Sequence, residues 1–143
     1  MPYRFLEGLT MADVAFEATG KTLEEMFLAA ADAMASVQIK DTAAIELKME
    51  RKFSLKAASR ERLLHDFLQE LIFYKDAELL LFGKCELKIT GEEGAYELAA
   101  KARGDKLDHA KHQLLTDVKA VSWHKFKVEK TAKGWKAVVI IDV

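Results

Sequence analysis

Between residues 45 and 57 the chain alternates in hydrophobicity almost without a break. Ile45, Leu47, Met49, Phe53, Leu55 and Ala57 alternate with Glu46, Lys48, Glu50, Lys52, Ser54 and Lys56. A period of two belongs to a strand, whose successive side chains point to opposite faces, so one face is expected to be buried and the other wet. Such a strand needs a partner layer, and this requirement constrains the fold more than anything else in the sequence. Arg51 falls on the apolar face, which predicts a bulge or a side chain snorkelling near a sheet edge.

Two segments carry the helical period instead. After Gly20, Thr22 and Glu25 form a capping box, and Leu23, Met26, Phe27, Ala30, Met34 and Val37 recur at the spacing of one helix face, which predicts a helix over 22–37. Ser59 caps a second helix over 59–74, with Leu63, Leu64, Phe67, Leu68, Leu71 and Ile72 as its core stripe. His65 and Asp66 lie off that stripe and are expected to face solvent.

The remainder reads as strand. Residues 3–7 and 13–18 are short strands, with Val14, Phe16 and Ala18 on one face. In 79–89, Cys85, Leu87 and Ile89 share a face. After the turn Glu92-Glu93-Gly94, Tyr96, Leu98, Ala100 and Ala102 face the core. Residues 118–129 and 135–143 form a hairpin around Ala132-Lys133-Gly134. The unbroken run Val138-Val139-Ile140-Ile141 marks a strand buried on both faces. The expected class is α+β: mixed or antiparallel sheet structure packed with two amphipathic helices, as a single compact domain over 1–143. The one proline is Pro2, so no Pro-rich linker divides the chain. No apolar run reaches the length of a membrane span, and the lone Cys85 fits a reducing compartment, so a cytoplasmic location is expected.

Familiar catalytic motifs are absent: the sequence contains no phosphate-binding glycine loop, no CxxC, no HExxH and no GxSxG. Cys85 sits mid-strand on an apolar face and reads as packing rather than as a nucleophile. Residues 104–117 lack clear periodicity and hold Asp105, Asp108, His109, His112 and Asp117. Asp108 and His112 are four apart, so a helical turn would bring carboxylate and imidazole to one face as metal ligands; both are also ordinary loop residues. His124 is expected to be a half-buried structural histidine on the same face as Ala120 and Phe126. The six lysines 119, 125, 127, 130, 133 and 136 face one acid, Glu129. They read as a solvated face, because no exposed aromatic cluster accompanies them, with an RNA-binding patch as the alternative. Asp13 and Asp142 stand at strand ends. If the first and last strands are neighbours, these carboxylates and the oxygens of Val143 would form an all-oxygen, hard-cation site; otherwise they simply reach water.

The stretches ADVAFEATGKTLEEMFLAAADAM (12–34) and GDKLDHAKHQLLTDVKAVSWHKFKVEK (104–130), with the ending WKAVVIIDV (135–143), resemble the archease family over nearly the whole chain. The most specific parts are Ala12-Asp13 before GKTLEE, Val118-Lys119-Ala120 with His124 close behind, and Asp142-Val143. The resemblance implies a cytoplasmic, chaperone-like protein cofactor, not itself an enzyme. It would activate the RNA ligase of tRNA splicing, which joins 2′,3′-cyclic phosphate and 5′-hydroxyl ends, by promoting ligase guanylylation and multiple turnover. It also implies a divalent cation, calcium, held by Asp13, Asp142 and Val143, and matched positions at Asp108, His112, Lys119 and His124. Thr10 and Met11 stand where many family members have histidine and threonine; Asp105 replaces the usual glutamate and Trp123 the usual tyrosine. Outside the resemblance, the alternatives are a metal-dependent phosphoesterase and a small RNA-binding module using residues 119–136.

Overall fold

Both expected helix starts form. In the computed structural model, which describes residues 2–7 and 13–143, Thr22 Oγ1 accepts a hydrogen bond from the Glu25 N–H at 3.1 Å, and helix α1 follows as Leu23–Gln38. The return half of the cap is displaced by one residue: the Glu25 carboxylate accepts from the Lys21 N–H at 2.7 Å. Ser59 Oγ accepts from the Arg62 N–H at 3.1 Å and opens α2, Arg60–Glu78. Helix α2 stops at Leu79, whose backbone is left-handed (φ 55°) and whose N–H returns to the carbonyls of Tyr74 and Lys75. A glycine would make this stop at lower steric cost.

The strands are β1 (Tyr3–Leu6), β2 (Val14–Gly20), β3 (Met49–Ala57), β4 (Leu80–Glu92), β5 (Ala95–Lys106), β6 (Ala120–Thr131) and β7 (Gly134–Asp142). All pairings among the described residues are antiparallel. One sheet has the order β1-β2-β7-β6 and the other β3-β5-β4. Each helix contacts strands of both sheets, so α1 and α2 form a middle layer between them. Phe27 of α1 stacks on Phe67 of α2 at 5.9 Å, and Phe67 in turn meets Phe53 of β3 at 6.3 Å, linking three elements through the core. Phe27, Phe67 and Leu71 are all buried. On β5, Tyr96, Leu98, Ala100 and Ala102 face inward as their spacing predicts, and β7 is an interior strand with Val139, Ile140 and Ile141 buried.

Two local expectations need correction, and a third resolves in favour of its sheet-edge alternative. Strand β3 begins at Met49, not at residue 45, because its ladder with β5 ends at Met49↔Gly104. Upstream, the short 3₁₀ turn Thr42–Ala44, capped by Asp41, redirects the chain; Ile45 packs with Ile39 and Leu81, and Leu47 is exposed. Arg51 causes no bulge. The β3–β5 register is continuous, and Arg51 on this edge strand pairs its guanidinium with Glu78 at the end of α2, at 2.6 and 3.2 Å. The pairing explains how a charge stands on the inner face, and it holds the Glu78 carboxyl below its ordinary range. Finally, His65 is buried (8 % exposed) and Asp66 half-buried. The helix has a second covered side that a one-stripe pattern does not reveal.

Gly104 marks the tightest crossing of β4 and β5, beside the register shift at Phe82/Lys84. A Cβ added there would lie 1.8 Å from the Leu81 carbonyl oxygen. Gly104→Ala is therefore expected to destabilise the fold by about 1–3 kcal/mol, read as a lower urea midpoint with an unchanged m value. An unchanged midpoint would mean that the two strands can separate here freely.

Candidate functional site

The β2–β7 ladder runs from Gly20↔Trp135 to Val14↔Ile141. Extended by one position, the same register sets Asp13, a bend residue, opposite Asp142, the last residue of β7. Opposed residues of an antiparallel pair lie with Cα atoms about 5 Å apart and share a face. That face is set by the core pattern. Val14, Phe16 and Ala18 on β2 and Ala137, Val139 and Ile141 on β7 pack inward, so Asp13 and Asp142 belong to the opposite face. Asp13, Asp142 and Val143 are all half-buried. Among the described residues no three His, Cys, Asp or Glu side chains converge as a metal centre. A cation at this end would therefore draw on two carboxylates and main-chain oxygens such as those of Val143, a donor set suited to a hard cation such as calcium. Thr10, Met11 and Ala12 lie outside the described residues.

Lys119 reaches the same end through its backbone: its N–H donates to the Asp142 carbonyl at 2.8 Å, just before β6 begins opposite Asp142 at Ala120. The segment leading to it is tied down from α2. Lys75, only 5 % exposed, donates to the Asp117 carboxylate and to the Val118 carbonyl, both at 2.5 Å, and contacts Asp76 at 3.1 Å. Its stem thus lies inside the protein while its ammonium group is satisfied by three oxygens. Sequence reasoning missed Lys75. The one available signal was a lysine falling on the inward side of a helix.

Asp108 and His112 do occupy one helical turn, with the Asp108 carbonyl accepting from the His112 N–H at 2.8 Å. Their side chains diverge in role. The exposed Asp108 carboxylate accepts from the Ala110 N–H at 2.9 Å, the ordinary work of an aspartate at a turn. His112 is buried, and its Nδ1 accepts from the Asp108 N–H at 3.1 Å. Nε2 of the neutral ring therefore carries the proton and offers no lone pair to a metal. Asp105, also buried, accepts from the Lys106 N–H and lies 3.6 Å from Lys111; these contacts hold its carboxyl below the usual range.

The largest departure from expectation is in β6. Ser122 pairs with Ile140 and Lys127 with Val138, so β6 carries extra residues across a short span of β7, and Lys125 sits at φ 55° within the bulge. His124 is consequently exposed, not half-buried, with its N–H bonded to Ser122 Oγ at 3.0 Å. Trp123 is exposed as well. It stacks on buried His65, ring centroids 3.8 Å apart and planes within 5°. His65 Nε2–H donates to the Val121 carbonyl at 2.8 Å. Burial pushes the His65 pKa down, outweighing the Val121 carbonyl and Asp66, which favour the charged ring. Of the six lysines, Lys127 and Lys136 flank Glu129 at 3.1 and 3.2 Å, and Lys130 lies over the Trp135 ring.

Cys85 makes a poor nucleophile, since burial raises its thiol pKa to about 12. The cavity of about 250 Å³ beside Lys75 is walled chiefly by Leu81, Leu107, Leu114 and Leu115. Among the described residues no helix is long and apolar enough to cross a membrane.

A model of the Archease protein family matches residues 3–143. The curated "Protein archease" of Methanosarcina mazei is 39 % identical over 142 residues, covering 99 % of this chain and 95 % of its own length. That of Pyrococcus furiosus is 38 % identical over 133 residues, covering 92 % and 93 %. The solution structure of Methanobacterium thermoautotrophicum protein 1598 superposes with a TM-score of 0.85 at 34 % identity, covering 99 % of both chains. The crystal structure of an archease from Thermotoga maritima, described as a possible chaperone, gives a TM-score of 0.62 at 19 % identity, covering 94 % of this chain and 93 % of its own, and shows the same fold.

Because His65 is held neutral when folded, the unfolded chain binds that proton more readily. Stability should fall as pH drops below the unfolded histidine value of about 6.5, until the lower folded pKa is passed. Thermal melts between about pH 7.5 and 5, above the carboxylate range, should show this loss, and His65→Gln should remove part of it. An identical pH dependence in the variant would place the titration elsewhere.

Proposed function

The chain belongs to the archease family, and on that premise we propose that it activates the RNA ligase of tRNA splicing through its Asp13/Asp142 end. In this reading the protein is a cofactor that promotes guanylylation and multiple turnover of the ligase, with no turnover of its own. The observation that carries it is the β2–β7 register, whose extension by one position sets two acids far apart in sequence opposite each other at one end of a sheet. A cation between two acids so placed would offset any repulsion between them. Asp13, Asp142 and Val143 would hold a divalent cation, calcium being the ion suited to oxygens alone. When bound, such an ion neutralises phosphate oxygens.

The chain's own residues supply the rest. Lys119, its backbone fastened to Asp142, presents a second positive charge at the same end, suited to a nucleotide phosphate. Lys75 fixes the approach of that segment by holding Asp117 and Val118. Asp108 and His112 act differently: they shape the preceding turn from within. His124 stands apart on the exposed bulge of β6 and is a surface contact for the partner.

The test is ligation under multiple turnover, with and without this protein. Asp13→Ala is expected to abolish stimulation while melting as a folded domain, since Asp13 lies outside the core and its loss leaves no cavity. Calcium should raise the melting temperature of the parent protein but not of Asp13→Ala or Asp142→Asn. Full stimulation by a variant that has lost its calcium response would sink the proposal.

A further inference from the structure

In the reading above the bulge in β6 serves only to expose His124, yet it also determines what else the strand presents to solvent. In a regular β6, Trp123 would follow Ser122 with its side chain on the inner face. The extra residues carry it instead to the margin of this edge strand, against α2, where its indole stands 51 % exposed two residues from Lys125. The ring is not loose. His65 covers one face at 3.8 Å, and Phe126 meets it edge-on at 5.2 Å. His65 is itself buried, bonded to Val121 and edge-on to Phe126. The exposed half of Trp123 is therefore the opposite face and outer rim of a ring already fixed in orientation.

We propose that this open face of Trp123 is a stacking platform for an unpaired base of single-stranded RNA, with Lys125 and its neighbours holding the adjoining phosphates. An aromatic ring fixed on one face and free on the other gains stacking without losing rotamer freedom on binding. Duplex RNA hides its base faces in the stack, so only unpaired nucleotides can use the platform. Charge favours RNA over a protein partner. Six lysines between 119 and 136 face one acid, Glu129, which engages only Lys127 and Lys136. Among the described residues, Lys119, Lys125 and Lys133 make no ion pair. Lys125 adjoins the platform in the left-handed conformation that the bulge requires, and His124 is exposed beside it. The inference does not depend on the ligase or on a cation.

The chain has two tryptophans, Trp123 and Trp135. Trp135 packs under Arg60 and Lys130, so Trp135→Phe keeps an aromatic ring there and leaves Trp123 as the sole indole reporter. In that background, titration with single-stranded oligoadenylate should quench the fluorescence saturably, whereas the same sequence annealed to its complement should not. With dye-labelled oligoadenylate, anisotropy should show roughly tenfold weaker binding by Trp123→Leu and near-parental binding by Trp123→Phe. Lys125→Gln should flatten the dependence of log affinity on log salt by about 0.7, the share of one phosphate on a single strand. Absence of saturable quenching overturns the proposal. So does parental affinity in Trp123→Leu, or equal binding of the duplex. If Trp123→Leu fails to fold, the salt slope of Lys125→Gln and the quenching itself still decide.

Discussion

The ladder between β2 and β7 is the contact on which the rest of the molecule depends. It joins a segment near the start of the chain to one near its end, and its seven registered pairs place both interior strands of the four-stranded sheet. Among the described residues, strand β1 pairs only with β2, and β6 only with β7. Slippage of β7 by one residue would turn Val139 and Ile141 away from the helices and carry Asp142 to the inner face. The same register that buries the core therefore also decides where the acids stand.

Between the two sheets, the helices are enclosed more fully than surface helices usually are, and polar residues are trapped with them. Three of those on α2 find specific partners. Lys75 meets three oxygens, His65 donates to a backbone carbonyl, and Gln69 accepts from the Val121 N–H. These three residues of α2 all reach the β6 side, two of them directly at Val121. Buried polar groups need such partners, since leaving one unmade costs about 1–3 kcal/mol. Helix α2 is thus fastened to the edge strand by directional bonds as well as by packing, and the bulge beyond Val121 begins from a fixed point.

What the sequence made legible was whatever a single element records in its own period. The alternation downstream of Met49, the stripes of both helices, their Thr22 and Ser59 caps and the apolar run of β7 all report burial of one element against an unspecified neighbour. Features that need two elements at once were not legible. Periodicity assigned His65 to solvent because it measures one stripe, whereas α2 is covered from two sides. It placed His124 half inside because alternation cannot count the extra residues of a bulge. For the same reason it gave no sign of an exposed Trp123, and so the lysines appeared to lack an aromatic companion. The tether from Lys75 to Asp117 spans helix and loop and has no local signature. The acid pair was visible only as a condition: two carboxylates at strand ends meet if those strands are neighbours. Residues alone do not state that β2 and β7 are neighbours.

The two sheets also differ in how soon they can exist. Strands β3, β4 and β5, with α2 between, lie within one continuous stretch, and β4–β5 is a hairpin, so this half closes over smaller sequence separations than the β2–β7 ladder. The other sheet must wait for residues 134–142 before β2 has a neighbour on its inner side. Pairings of large sequence separation form late, after chain entropy has been overcome locally. During synthesis the molecule would thus hold a helix-backed hairpin while α1 and β2 still lack their cover. The acidic end, assembled from the opening and closing segments, is then the last part to take shape. Any partner reading that end would meet only chains in which β2 and β7 have paired.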